Sequence, residues 1–439
     1  MTEDCRGLSF TASETAAVEG FDHVIAGYLG MARDTGDRLK AVFDIDPTMP
    51  MANVLKGYFF LLMANAPLKQ RAVDVAEGLG PILTAANPRE RLHGEALKAW
   101  TVGDVAAALR AWEAILVEHP RDILALRLAH QGHFYKGDSQ NVRDVVARRL
   151  HAWDAGVPGC GFVMGMRAFG LEETHGYDRA IEAGRAALDI NPVDPWAIHA
   201  VAHVYEMIDQ PETGIEWITT HEAGWTGAHN FRYHLFWHRA LMWLDEGDTD
   251  AVLAAYDDEL WDPDSNEYLD LCNDASLLMR LELHGVDVGD RWQAVAEKCE
   301  ARTEEHILAF VDAHYALALA AAKSPGADDV VSTMAGYATA SAEDNAAVSA
   351  EVGVALADAM VAYQKGDFDR VVDMLYPVRY EVRTVGGSHA QRDLFAMMLI
   401  DAALKAGRRD IARALTAERV GRQPTNAWSR RMYDKAMAA

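Results

Sequence analysis

Two pairs of histidines, each pair four residues apart, have the spacing in this sequence that most clearly suggests chemistry. His199 and His203 lie in HAVAHVYE, and His234 and His238 lie in YHLFWH. Residues four apart on a helix share one face, so each pair presents two imidazoles to a single surface. If the two surfaces line one groove, the protein has a functional site. Otherwise the histidines belong to ordinary packing.

Glu206 extends the first histidine pair, because it lies seven residues after His199 on the same predicted helical face. Two neutral imidazoles and a carboxylate suit zinc, iron or manganese. The candidate metal ligands are therefore His199, His203, Glu206 and His238. The same side chains could instead perform acid–base catalysis, or have a structural role where helices meet.

Other polar and aromatic residues lie on comparable segments. Tyr233 and Trp237 flank the second histidine pair, and an aromatic ring there could stack on a substrate or pack in the core. Asp312, in HILAFVDAHYALAL, could orient an imidazole from a neighbouring helix, as carboxylates do in catalytic and metal sites.

A further group combines an arginine with a helix start. Ser388 follows two glycines and is predicted to cap a helix whose first turn holds Gln391 and Arg392. Arg392 could clamp a carboxylate or phosphate, and Arg379 and Tyr380 precede it closely enough to join such a site. The predicted catalytic residues are His199, His203, His234, His238 and Asp312, and the predicted substrate-binding residues are His130, Tyr233, Trp237, Gln391 and Arg392.

The elements that must position these residues follow a repeat. Gly103-Asp104 and Gly137-Asp138 interrupt helical patterns 34 residues apart, which is the tetratricopeptide period. The same dipeptide recurs in GDTDAVL and GDFDRVV, and strand signals are nearly absent. The pattern predicts an all-α, tetratricopeptide-like α-solenoid of roughly ten degenerate helix pairs that form a right-handed superhelix. We expect one continuous domain over residues 1–439, in which residues 1–14 could form a flexible N-terminal tail.

The repeat register places the unusual polar residues on one class of helix. Each tetratricopeptide unit has an A helix and a B helix, and successive A helices line the inner side of the superhelix. His130, both histidine pairs, Asp312 and Arg392 all fall on predicted A helices. This shared class predicts that they line one inner wall.

Segments spread over nearly the whole chain are more specific than a general repeat consensus. They include Gly103–Tyr135, VARRL, DPWAIHAVAHVYEM, YHLFWHRAL, LMRLELHGVDVGDRW, HILAFVDAHYALAL and RYEVRTVGGSHAQRDLF. On these segments the chain resembles the tetratricopeptide repeat protein 38 family. The resemblance implies a cytosolic repeat protein with a superhelical fold, and it implies no particular reaction.

The composition limits the partners. A formal charge of −25 opposes binding to nucleic acid and to anionic membrane surfaces, which rely on clustered Lys and Arg. The four cysteines are far apart, which argues against a disulfide framework and favours the cytoplasm. The N-terminus lacks a signal-peptide pattern, and no apolar run of about 18 residues predicts a membrane span.

Two functions compete on this evidence. The first is an enzyme, a hydrolase or lyase that acts on a small polar or anionic molecule through histidine acid–base chemistry, with a divalent metal as an option. No nucleotide cofactor is expected, because the sequence has no P-loop or dinucleotide fingerprint. The second is a scaffold that binds a peptide in the concave groove. We rank the scaffold second because Arg392 is the one strong cation among the predicted concave residues. Self-association into a homo-oligomer stays open.

Overall fold

The computed structural model describes residues 2–438 and is almost entirely helical over that range. The chain divides into two compact units. The first comprises the chain up to Val201 together with His221–Arg232, and the second comprises Ala202–Thr220 together with the chain from Tyr233 onward. The predicted all-α, tetratricopeptide-like repeat fold is confirmed. The expectation of a single continuous domain is not tested by this division and stays a prediction.

The first unit begins with a short hairpin in which β1 (Thr2–Glu3) pairs with β2 (Ser9–Phe10). Phe10 is buried in this unit's core, so part of the segment expected to be a flexible tail is packed. Short 3-10 segments cover Leu150–Ala152 and Glu222–Gly224. The helices that follow the hairpin are α1 (Thr15–Leu29), α2 (Thr35–Ile45), α3 (Pro50–Leu62), α4 (Ala66–Leu83), α5 (Pro88–Thr101), α6 (Val105–Glu118), α7 (Ile123–Tyr135), α8 (Ser139–Ala147), α9 (Cys160–Glu172), α10 (Tyr177–Ile190) and α11 (Pro195–Met207).

The boundary between the units falls within α11 and again within α13 (Phe231–Glu246), so each of these helices contributes residues to both. A 3-10 segment covers Glu381–Val385, and π-helical turns cover Tyr256–Leu260 and Ser349–Gly353. The helices after α11 are α12 (Pro211–Thr220), α13 (Phe231–Glu246), α14 (Thr249–Ala255), α15 (Tyr268–Leu283), α16 (Arg291–Glu300), α17 (Ala309–Ala321), α18 (Gly326–Ala340), α19 (Asp344–Val348), α20 (Val354–Gln364), α21 (Phe368–Val378), α22 (His389–Lys405), α23 (Arg409–Arg422) and α24 (Ala427–Ala438).

The Gly-Asp dipeptides end one helix and begin the next, as the sequence pattern predicts. Gly103 has a φ of 75°, and Asp104 accepts a hydrogen bond from the backbone N–H of Ala107 at 2.7 Å. Gly366 has a φ of 78°, and Asp367 caps α21 in the same way. The residues before α8 and α14 repeat this arrangement. Glycine supplies the left-handed backbone that ends a helix, and aspartate satisfies a free amide of the next.

Helices within each unit pack mainly on their sequence neighbours. In the first unit this succession runs from α1 to α10, and in the second it includes α15 to α19 and α20 to α24. One crossing requires glycine, because a Cβ on Gly170 of α9 would lie 2.6 Å from the Cα of Arg143. In the second unit α15 also packs against α22, far along the chain. This contact brings polar residues of α15 beside the start of α22.

One helical stretch, Asp344–Gln364, is long and apolar enough to cross a membrane by length and composition. It combines α19, the following π-helical turn and α20. Its apolar window is 61% buried inside the protein, and α20 packs against α17 and α18. Burial in the core of the second unit accounts for its apolar composition.

Candidate functional site

Three buried histidines of the second unit lie close together. His203 is on α11, and His234 and His238 are one turn apart on α13. One ring nitrogen from each imidazole lies within 4.8 Å of the other two. The Nε2 atoms of His234 and His238 are 3.2 Å apart. A histidine of the first predicted pair therefore meets both members of the second.

The outer nitrogens of two of these rings contact oxygen atoms. Glu206 Oε2 lies 2.9 Å from Nδ1 of His238, and Asn273 Oδ1 on α15 lies 3.1 Å from Nδ1 of His234. Glu206 thus contacts the outer nitrogen of His238, whereas the sequence predicts that it binds a metal directly. Oxygen acceptors on the outer nitrogen are how proteins commonly orient histidine ligands.

Burial favours the uncharged form of the three imidazoles. It lowers the pKa of His238 to about 3, with a further contribution from the nearby Arg280. Burial and the neighbouring histidines hold the pKa values of His203 and His234 well below the usual value. Burial also raises the pKa of Glu206 to about 8. The histidine cluster, meaning His203, His234 and His238, offers neutral nitrogens, which is the form that binds metals.

Glu206 also lines a small polar cavity of the second unit, together with Asp245, Arg280, Asp393 and Arg419. Its volume is about 30 Å³, which holds a water molecule or an ion and excludes an organic substrate. Asp393 is bound by Arg419 through two contacts of 2.5 and 2.8 Å. This cavity is therefore small and lined by charged side chains.

His130 and His199, also predicted as site residues, are placed in the first unit. His130 Nε2 lies 3.2 Å from the carbonyl oxygen of Met166, and burial lowers the pKa of His130 to about 3. The ring of His199 stacks on Phe169 with centroids 5.6 Å apart and meets Trp196 edge-on at 5.4 Å. Within their unit both histidines have the surroundings of core residues.

The two aromatic residues predicted to bind substrate contact protein groups. Trp237 is fully buried, and its ring stacks on His234 with centroids 5.3 Å apart. The hydroxyl of Tyr233 donates a hydrogen bond to Asp262 Oδ2 at 2.6 Å. Trp237 therefore supports one face of the histidine cluster from within the core.

Asp312 and Gln391 are likewise engaged locally. Asp312 Oδ1 lies 3.3 Å from Nδ1 of His306, so it does face an imidazole, but one from the loop before α17. Gln391 Oε1 accepts a hydrogen bond from the Ser388 N–H at 2.9 Å, and Ser388 Oγ accepts one from the Gln391 N–H at 3.3 Å. This capping box confirms Ser388 as the N-cap of α22.

A second candidate site, which we call the arginine pocket, lies between α21, α22 and α23. It has a volume of about 260 Å³ and is open to solvent. Phe395, Leu399 and Leu415 form part of its wall. Four arginines also line it, namely Arg379, Arg383, Arg392 and Arg422. Arg392, which the sequence predicts to bind an anion, is therefore one of four cationic side chains in this pocket.

Among the residues that the structure describes, no ion pair involves Arg379, Arg383 or Arg422. The guanidinium of Arg379 lies between the rings of Tyr376 and Tyr380, 4.1 Å from each centroid. It also donates a hydrogen bond to the Tyr376 carbonyl oxygen at 2.6 Å. These contacts hold the cation in place before any ligand arrives.

The carboxylates near the arginine pocket offset little of its charge. Asp393 is occupied by Arg419. Glu418 accepts a hydrogen bond from the Tyr380 hydroxyl at 3.1 Å and is the other acidic side chain in the lining. Arg392 is turned toward the carbonyl oxygen of Gly387. The lining thus carries a net positive charge.

Sequence reasoning identified only part of these two sites. Arg379 and Tyr380 were linked to Arg392 by proximity alone, whereas Arg383 and Arg422 were missed. The spacing of four between Arg379 and Arg383 was a usable signal. Arg422 lies on α23, and only the packing of α22 on α23 brings it to the pocket. Asn273 was missed because nothing in its own segment marks it.

The succession of packed helices and Gly-Asp turns defines a tetratricopeptide-like helical-repeat protein. No family model matches the chain. Among solved structures, the chain is similar to the human IFIT1 dimer with m7Gppp-AAAA, with 11% identity, a TM-score of 0.43 and coverage of 98% of this chain and 96% of that one. It is also similar to Cut9–Hcn1 of the APC/C, with 12% identity, a TM-score of 0.39 and coverage of 96% and 75%. Yeast Tom70 follows at 12% identity, a TM-score of 0.26 and coverage of 89% and 95%.

Proposed function

We propose that this protein is a helical-repeat scaffold that binds an acidic segment of a partner protein in the arginine pocket. The observation that carries the proposal is a group of four arginines lining one pocket, in a chain whose formal charge is −25. The acidic chain as a whole repels anions, so this pocket is a local exception that attracts one. Guanidinium groups bind carboxylates through paired, charge-assisted hydrogen bonds.

The apolar part of the lining favours a peptide over a free anion. Phe395, Leu399 and Leu415 lie in the same pocket as the guanidinium groups. A short segment in which an acidic residue neighbours an apolar one would contact both surfaces. The sequence alone favours an enzyme over a scaffold because it predicts Arg392 as the one strong cation in the groove. The three further arginines of the arginine pocket remove that objection to a scaffold. Nucleic acid fits less well, because the acidic remainder of the chain repels a phosphate backbone.

Fluorescence anisotropy with labelled octapeptides tests the proposal. The acidic probe alternates Glu and Leu, and the neutral probe replaces each Glu with Gln and has an amidated C-terminus. We expect the acidic probe to bind and the neutral probe not to. The double variant Arg383→Gln/Arg422→Gln should weaken binding about tenfold or more, since a hydrogen bond to a charged group contributes about 1.5–3 kcal/mol.

The matched control is Arg370→Gln, which removes an exposed arginine of α21 that pairs with Asp358 outside the pocket. It should bind the acidic probe like the wild type. Equal affinity for both peptides, or an equal loss in the control, would contradict the proposal. A labelled ten-nucleotide oligoadenylate that binds more tightly than the acidic peptide would replace the peptide partner with RNA.

Hydrolase or lyase chemistry at the histidines is the other function that the sequence predicts. The enclosed space next to Glu206 is about 30 Å³, which is far below the several hundred cubic ångströms of ordinary ligand pockets. This difference in size supports the scaffold over the enzyme.

We further propose that the chain is a member of the tetratricopeptide repeat protein 38 family and acts in the cytoplasm. The sequence segments that carry the resemblance support membership. The four cysteines are free thiols, three of them buried, which suits a reducing compartment. Cell fractionation followed by immunodetection of the protein tests the compartment, and recovery in a secreted or membrane fraction would contradict it.

A further inference from the structure

We propose that the histidine cluster is a buried binding site for a divalent transition metal, zinc in the first instance, and that Glu206 and Asn273 orient its ligands. All five side chains belong to the second unit. None of them lines the arginine pocket, so metal binding here and peptide binding there involve different residues.

The Nε2 atoms of His234 and His238 face each other. Each Nδ1 lies at hydrogen-bond distance from an oxygen, which belongs to Asn273 for His234 and to Glu206 for His238. When the Glu206 and Asn273 oxygens both accept from Nδ1, each neutral imidazole carries its lone pair on Nε2. The two lone pairs then face each other at 3.2 Å and repel. A cation bound between them converts that repulsion into two favourable contacts.

The distance between these two Nε2 atoms also fits a bound zinc ion. Zinc binds imidazole nitrogen at about 2.0–2.1 Å, so two nitrogens at a tetrahedral angle lie about 3.3 Å apart. The observed Nε2–Nε2 distance of 3.2 Å is close to this value. The His203 nitrogen lies within 4.8 Å of both and is the third candidate ligand. Three protein ligands leave a position for water or another group.

The chemistry of the donor set identifies the class of metal. Imidazole nitrogen suits zinc and neighbouring transition metals, whereas calcium and magnesium require oxygen ligands. Burial removes the competition of bulk water for these nitrogens, since His203 and His238 are 0% exposed. The outer contacts from Glu206 and Asn273 match the groups that support histidine ligands in metal sites.

Metal content and cobalt spectroscopy on the tag-free, full-length protein test the proposal. Protein dialysed against a chelator is titrated with Co²⁺, whose tetrahedral complexes absorb strongly in the visible range, and Zn²⁺ is then added to displace it. We expect the absorption to saturate near one Co²⁺ per chain and to disappear with Zn²⁺. His234→Gln and His238→Gln should abolish it.

The matched control is His314→Gln, because His314 is also buried in the second unit but its Nδ1 contacts the carbonyl oxygen of Phe310 on its own helix. This variant should bind cobalt like the wild type. Glu206→Gln should weaken zinc binding about 10- to 100-fold while keeping the cobalt spectrum, as expected of an orienting group. The acidic peptide should bind all these folded variants equally.

Folding of each variant is checked by far-UV circular dichroism. Zinc should raise the melting temperature of the wild type and of His314→Gln, and leave that of His238→Gln unchanged. If the wild type shows neither cobalt absorption nor a zinc-dependent shift, the cluster is a metal-free chain of hydrogen bonds from Glu206 through His238 to His234. Binding that is unchanged in both His234→Gln and His238→Gln would also overturn the proposal.

Discussion

Buried carboxyl groups in the first unit have opposite pKa shifts, depending on whether a cation lies beside them. Asp122 contacts Arg89 at 2.6 Å and His93 at 3.1 Å. Although burial opposes it, the charges of His93 and Arg89 hold the pKa of Asp122 far below its usual value. Asp194 accepts hydrogen bonds from backbone amides at the start of α11, and burial raises its pKa to about 7. The pKa of a buried aspartate in this unit thus depends on whether a cation lies beside it.

Replacing Asp194 with asparagine should change how stability depends on pH. The folded state holds the Asp194 proton up to about pH 7, whereas an unfolded aspartate loses it near pH 4. Between about pH 4 and pH 7 the native state therefore binds one proton more than the unfolded state. The unfolding free energy falls as pH rises through this range, by at most about 1.4 kcal/mol per pH unit. Asparagine keeps a capping oxygen and does not titrate. Urea denaturation between pH 4 and 8 should show Asp194→Asn gaining on the wild type up to pH 7, and parallel curves would contradict this.

Asp122→Ala should be among the more damaging single substitutions in the first unit. The change leaves the buried guanidinium of Arg89 without its carboxylate, which typically costs about 3–5 kcal/mol, and removes the cap on the Ala125 amide. Asp122→Asn keeps the capping oxygen and should cost less. Urea midpoints for the two variants give the comparison. A loss below about 1 kcal/mol for Asp122→Ala would show that the ion pair is not needed.

At the scale of helices, local signals predicted where elements begin and end, but not which surfaces meet. The Gly-Asp dipeptides and Ser388 marked helix boundaries because turn geometry and capping depend on a few adjacent residues. The same reasoning found His203, His234 and His238, because spacing within a helix defines a face. It could not find Asn273 or Arg422, since each reaches its site through packing between helices that are separate in sequence.

Two glycine substitutions should distinguish a helix crossing from an open helix face. In Gly170→Ala the new Cβ meets the backbone of α8 at 2.6 Å, and backbone cannot move aside as a side chain does. We expect a loss of about 1–3 kcal/mol. A Cβ added to Gly78 of α4 would meet nothing within 4 Å, so Gly78→Ala should gain about 0.5–1 kcal/mol. Thermal melting of both variants measures the contrast, and shifts of the same sign would contradict it.

At the scale of the whole molecule, the sequence predicts the net charge well but does not show where the charges lie on the folded protein. The formal charge of −25 follows from composition and disfavours anionic partners. It does not reveal that four arginines share one pocket, because that depends on how α21, α22 and α23 pack. The general repulsion of anions and the local attraction in the pocket act in opposite directions on an acidic peptide.

Salt separates these two effects. Raising NaCl from about 20 to about 300 mM shortens the range of charge interactions to below about 10 Å. Because self-repulsion of the acidic chain is screened, the unfolding free energy should rise by about 1 kcal/mol, which corresponds to about 1 °C in melting temperature for a chain of this length. The acidic peptide should bind more weakly in the same series, because its short-range contacts with Arg383 and Arg422 are screened as well. An affinity that rises with salt would mean that the overall charge, and not the arginine pocket, governs binding.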